Sequence, residues 1–350
     1  GKVINGETAG DFFGSSLSLS HDGEYLAVGS PKNQKTGQVK IYQFLNDDWE
    51  QIGKSIYGES NEDLFGSSVS LSENGSILAV GGQLNDGNGI NSGHVRVFQN
   101  SENNWIQIGQ DIDGEFSGDL SGSSISISGD GNLIAIGGRK NDGINGVNSG
   151  HVRIFYYDSE NLLWQQLGND IDGGSGGDLF GHYVSISSDG RSVAIGSPVS
   201  NSYKGETKVY SYDDKTSLWN PLGQSILGEN YDSWSGYTVA LSGDGKSLII
   251  GDYSTTSWDT GIGAQSRIFT FDESTSLWSQ QGQTLGGNGY SIGFSDDGSF
   301  VGIIEGGTLK LYKNGENPPK ISGPSGNPGE ATSYEPVSYT HLRAHETIAD

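Results

Sequence analysis

The residues best suited to chemistry fall in loops. Tyr231-Asp232-Ser233-Trp234 and the stretch from Tyr253 to Trp258-Asp259 carry the two Trp that lie outside every repeated pattern of the chain. An indole on a loop has no core position to explain it. Aromatic platforms beside carboxylates suit sugar rings, because the ring faces stack and the carboxylates orient hydroxyls. Trp234, Trp258, Asp232, Asp259 and Tyr253 are therefore the candidate ligand-binding residues. A second candidate is a Ca2+ site. Asn85–Asn91 and Asn141–Asn148 are dense in Asn, Asp and Gly, so Asp86, Asn88, Asp142 and Asn145 could offer oxygen ligands. The same residue types build tight turns, and one Asp per loop is thin for an ion that takes about six to eight oxygens.

The other titratable groups recur too regularly to mark one site. Lys40, Arg96, Arg153, Lys208, Arg267 and Lys310 occupy one repeat position between apolar neighbours, which calls for an acid or an aromatic ring beside each. His94 and His151 share a position filled elsewhere by Gln38, Thr207, Gln265 and Thr308. That exchange reads as a hydrogen-bonding side chain, not a metal ligand or a base. His182 has no identifiable partner in the sequence. Glu7 with Asp11, Glu59 with Asp63 and Glu115 with Asp119 lie in equivalent loops, and Asp178 keeps only the second acid. They read as turn chemistry, with a cation-binding ring of carboxylates as the alternative. No nucleophile elbow, P-loop or zinc signature is present. The reading is accordingly not an enzyme, with no catalytic residue and no required cofactor.

The elements that position these residues follow from a repeat. Trp49, Trp105, Trp164, Trp219 and Trp278 recur about every 55 residues, as do Asp22-Gly23, Asn74-Gly75, Asp130-Gly131, Asp189-Gly190, Asp244-Gly245 and Asp297-Gly298. Within one copy, Gly66–Ser72 alternates apolar and small residues, and Asn74-Gly75 supplies a tight hairpin turn. Ile77–Gly81 is a short apolar run, His94–Phe98 alternates again, and Trp105–Ile108 opens a fourth strand. Four short strands repeated radially are a β-propeller blade. The fold class is an all-β propeller of six four-stranded blades, and a start within a repeat admits seven in an intact protein. Gly1–Glu7 matches Gly53–Glu59, so the N-terminal segment is expected to complete the last blade and cover its edge.

Composition agrees. Gly is 57 of 350 residues, while aromatics at 10% supply buried area despite only 32% hydrophobic residues. A net charge of −24 disfavours nucleic acid, and no apolar run is long enough for a membrane span. Absence of Cys excludes disulfides and thiolate chemistry. The chain opens at Gly1 and has no Met, which reads as a fragment or processed chain, so a missing signal peptide says nothing about location.

Phe65-Gly66, Val69–Ser72, Asn74-Gly75, Leu78–Gly81 and Ser92–Phe98 together resemble the FG-GAP repeat, with Phe-Gly again at Phe13-Gly14 and Phe180-Gly181. The likeness is greatest to tandem copies in secreted or surface proteins of marine bacteria and microalgae. It implies a monomeric, extracellular or cell-surface binding or adhesion module for a glycan or protein ligand. A purely structural propeller and a glycan-active hydrolase are the alternatives. The integrin-type calcium loop is replaced here by a bare Ser-x-Asp-Gly, as in Ser128–Gly131. Residues 1–315 form the propeller, 316–336 a Pro/Gly/Ser-rich linker, and 337–350 a separate tail. Val337–Thr347 resembles a translated sequencing adapter, an artefact that should pack poorly on the propeller.

Overall fold

The computed structural model describes residues 3–253, 265–286, 288–305 and 308–313, so the linker, the adapter-like tail, Trp258 and Asp259 lie outside the described residues. Six antiparallel sheets follow one another along the chain, as the repeat requires. The second is representative. Phe65–Leu71, Ile77–Gly82 and His94–Ser101 run side by side, and a broken outer strand, Asn104–Gln107 then Ile112–Asp113, pairs with the third. The break falls at Ile108–Asp111, where the sequence suggested a continuous strand. The last sheet has three strands among the described residues, Asn288–Phe294, Phe300–Glu305 and Thr308–Lys313.

The second and third blades bury their first two strands almost throughout and the first half of the third, which explains their apolar and serine-rich sequence. Serine hydroxyls tie neighbouring inner strands together: Leu71 N–H donates to Ser18 Oγ at 2.8 Å, Ile127 to Ser70 at 3.1 Å, Ile186 to Ser126 at 3.1 Å, and Leu241 to Ser185 at 3.0 Å. Small residues also let blades approach closely. A Cβ on Gly137 would lie 2.1 Å from the Gly181 carbonyl oxygen, and one on Gly196 would lie 2.0 Å from that of Gly236.

The five repeating Trp occupy one register position, opposite Phe44, Asn100, Tyr157, Tyr212 and Phe271. In the last three of them the indole N–H reaches back to the preceding blade: Trp164 to Ile108 O at 3.1 Å, Trp219 to Leu167 O at 2.9 Å, and Trp278 to Leu222 O at 2.8 Å.

At one end of the axis the Ser-x-Asp-Gly turns form a ring. His21 N–H donates to Glu73 O, Glu73 to Gly129, Gly129 to Ser188, Ser188 to Gly243 and Gly243 to Asp296, spanning all six blades. His21 Nδ1 then lies 3.8 Å from Asp296 Oδ2, joining first blade to last. The turn carboxylates are spent locally. Asp130, for example, accepts from Ser128 Oγ at 2.6 Å and from Asn132 N–H at 2.9 Å. The space inside this ring is about 20 Å³, room for one water molecule.

The expected closure of the last blade by the N-terminus is not seen among the described residues. Val3–Asn5 lie outside any strand and Val3 is 82% exposed, while Glu7 is held 2.6 Å from Lys40 Nζ of the first blade.

Candidate active site at the channel mouth

The opposite end of the axis is built from individual residues. Inner strands start there and second strands end there, so the residues just before the former and just after the latter crowd the mouth. Gly137 against Gly181 brings the end of the third blade's second strand beside His182. Gly196 against Gly236 does the same beside Tyr237.

Four blades contribute to one constellation. Arg139 Nη2 is 3.4 Å from Gln83 Oε1 of the second blade, and its charge is felt by Tyr237 of the fifth. Arg139 therefore leans over the axis. Burial pulls its guanidinium below the usual value, partly offset by Tyr237, and its Nε has no hydrogen-bond partner. Burial also raises the Tyr237 hydroxyl, with Tyr253 adding to the rise. Aromatic rings continue from there. His182 lies 4.7 Å from Tyr237, Tyr237 stacks on Tyr253 at 5.0 Å, Tyr253 is 5.7 Å from Trp234, and Trp234 stacks on Tyr203 at 5.7 Å.

The proposed aromatic platform is thus half assembled among the described residues. Trp234 and Tyr253, from loops at either side of the fifth blade's first hairpin, meet as the topology implies, and Trp234 is partly buried, not plugged into a core. Asp232 is partly buried at φ 57°, a left-handed turn position that Asp tolerates. The second-to-third-strand loops use the other candidates as fasteners. Asp86 accepts from Asn91 N–H at 2.7 Å and Asp142 from Asn148 N–H at 2.8 Å. Asn88 donates to Gly114 and Glu115 carbonyls, both at 2.9 Å, and Asn145 to Gly173 O at 2.7 Å. These side chains clip each loop to the one leading into the following blade.

The repeated acids and cations pair with each other. Arg96 lies 3.6 Å from Glu59, Arg153 lies 3.7 Å from Glu115, and both guanidiniums stand over Phe98 and Phe155 at 5.3 and 5.2 Å. The second acid of each loop makes its turn, as when Asp11 accepts from Glu7, Thr8 and Phe13 N–H.

A sequence profile described as FG-GAP repeat matches residues 58–98, within the second blade. No curated protein matches the sequence significantly. Solved structures share the fold. A Bacteroides uniformis protein assigned provisionally as a 6-phosphogluconolactonase is 14% identical with TM-score 0.59, over 86% of this chain and 80% of its own. The periplasmic gluconolactonase of Pseudomonas aeruginosa is 17% identical with TM-score 0.59, over 95% and 89%. A provisional 6-phosphogluconolactonase of Bacteroides fragilis is 13% identical with TM-score 0.56, over 86% and 80%.

These likenesses overturn the reading of the chain as a non-enzymatic adhesion module. That reading rested on the FG-GAP resemblance and on the absence of a linear catalytic motif, and on this architecture such absence carries no weight. Functional groups at a propeller mouth come one per blade, so Gln83, Arg139, His182 and Tyr237 share no local spacing. Arg139 and Tyr237 escaped notice for this reason; for Tyr237 the signal was that it, like His182, stands where earlier copies have Ser15, Ser67 and Ser123. The chain is a six-bladed propeller carrying an FG-GAP repeat, of a fold that lactone hydrolases also use.

Proposed function

We propose that the propeller is a hydrolase of small hydroxylated lactones, working at the channel mouth. The carrying observation is Arg139, a partly buried guanidinium with an unpartnered Nε, held between Gln83 and a run of aromatic rings. In a chain of net charge −24 a partly buried cation is suited to a carbonyl oxygen that gains negative charge. Trp234, Tyr253 and Tyr237 form the wall against which an apolar ring face stacks, and Asp232 lies beside it for hydroxyls.

Water attacks the ring carbonyl. Its proton passes to the His182 imidazole, its oxygen bonds the carbonyl carbon, and Arg139 stabilises the resulting oxyanion. The carbon–oxygen bond of the ring then breaks and the ring oxygen takes the proton back, leaving a hydroxy acid. Support for the substrate class comes from the named activity of the proteins that share the fold. The FG-GAP match and the periplasmic relative likewise support a location outside the cytoplasm. A pH-stat assay on glucono-δ-lactone tests the reading. Acid release well above the spontaneous rate, saturable in lactone, is expected; release at the spontaneous rate across five- and six-membered sugar lactones contradicts it.

A further inference from the structure

Two neighbouring blades differ from the rest by the same three substitutions. The second carries Gly82, His94 and Asp111, and the third carries Gly138, His151 and Asp170. The corresponding residues are Ser30, Gln38 and Ser55 in the first blade, Ser197, Thr207 and Ser225 in the fourth, and Asp252, Gln265 and Thr284 in the fifth. Histidine, glycine and aspartate thus appear together or not at all. The geometry explains the glycine. A Cβ at Gly82 would fall 2.8 Å from His94 Nε2, and one at Gly138 would fall 2.7 Å from His151 Nε2. Each imidazole lies flat on its glycine with Nδ1 directed at acids.

In the second blade His94 Nδ1 is 3.5 Å from Asp111 Oδ2, and in the third His151 Nδ1 is 3.7 Å from Glu115 Oε2. Glu59, His94 and Asp111 place one ligand atom each within 4.8 Å of one another, as do Glu115, His151 and Asp170. Ligand atoms around a tetrahedral ion at about 2.1 Å stand about 3.4 Å apart, so these clusters are near a coordinating spacing. His94 is fully buried, its Nδ1 faces Asp111, and its Nε2 has no hydrogen-bond partner. A merely structural histidine in that setting would leave Nε2 unsatisfied at a cost.

We infer that Glu59, His94 and Asp111 form a site for a divalent transition metal, repeated one blade on by Glu115, His151 and Asp170. One imidazole and two carboxylates suit Zn2+ or a neighbouring ion better than Ca2+, which takes oxygens alone. Arg96 borders the place, 3.6 Å from both Glu59 Oε1 and Asp111 Oδ1, but spends its hydrogen bonds on Gln107 Oε1 at 2.9 and 2.6 Å, and Gln107 in turn donates to Asp111 Oδ1 at 2.6 Å. Arg153 donates to the Asp113 carbonyl at 2.6 Å. Each arginine lowers the net negative charge of its cluster, so affinity is expected in the micromolar range, not the nanomolar. The sequence reading of both histidines as ordinary hydrogen-bonding groups missed the acids, which come from other strands and loops of the blade.

The test uses the whole chain stripped with EDTA and titrated with Co2+ and Zn2+. Two equivalents of Co2+ with visible ligand-field bands are expected. His94→Gln, which imports the residue native to this position in the first and fifth blades, should leave one equivalent. His94→Gln with His151→Gln should leave none, with the metal-free Tm unchanged. Glu59→Gln, at a half-exposed acid, guards against loss of folding and should weaken one site at least about ten-fold. Failure to bind Co2+ or Zn2+ below about 1 mM overturns the inference. So does binding that survives the double variant, which would place the ligands at other histidines.

Discussion

The two ends of this propeller obey opposite rules. At the turn end every blade contributes the same turn, Ser-x-Asp-Gly or in the second blade Ser-x-Asn-Gly, whose Asp or Asn is consumed locally, and backbone bonds run from blade to blade around a space for one water. At the mouth the equivalent positions hold Gln83, Arg139, His182 and Tyr237, with an unpartnered guanidinium nitrogen and a chain of stacked rings. Repetition marks what the fold needs, and departure from it marks what the fold is used for. Substitutions at repeated positions should therefore unfold the chain, and those at the mouth should change chemistry at constant stability.

The largest effect is expected between blades. Gly137→Ala forces a Cβ against the Gly181 carbonyl at 2.1 Å and should cost about 3 kcal/mol or more in urea unfolding. Trp164→Ala removes an indole that is 3% exposed and a hydrogen bond to Ile108, for about 3–5 kcal/mol. Trp49→Ala, at the same register position but only partly buried, should cost about half as much. Equal losses would mean that the register position, not burial, decides.

Asp252 sharpens the contrast by pH. It is 3% exposed with Oδ1 unpartnered, and burial raises its pKa to about 6 despite Arg267. The folded state then holds the proton more tightly than the unfolded chain. Stability from this group is present below about pH 4 and is lost as pH rises through about 6. Asp252→Asn should flatten that dependence and gain on the order of 2 kcal/mol above pH 6, read from Tm against pH. A variant less stable than wild type at every pH contradicts the assignment.

Smallest is Ser126→Ala, which deletes one of several equivalent hydroxyl links, here to Ile186 N–H at 3.1 Å. It should cost about 1 kcal/mol.

Much of this was legible in the sequence. The blade count, the Trp register and the turn carboxylates follow from self-similarity, because each copy solves the same packing problem with the same residues. The pairing of strand cations with loop acids and rings followed from their apolar neighbours. Trp234 and Tyr253 were legible as exceptions to the pattern. What escaped was whatever is assembled across strands or blades. Arg139 meets Gln83 from the preceding blade, and His94 meets Asp111 across the third and outer strands. The N-terminal match to Gly53–Glu59 shows in Glu7, which pairs with Lys40 of the first blade as Glu59 does with Arg96 of the second.

The most direct test of the central claim is kcat/KM for glucono-δ-lactone in wild type and Arg139→Gln, with Tm recorded for both. A fall of about 100-fold or more with Tm unchanged is expected, since the guanidinium would act on the oxyanion and not on the fold. Equal kcat/KM in the two proteins would contradict the account.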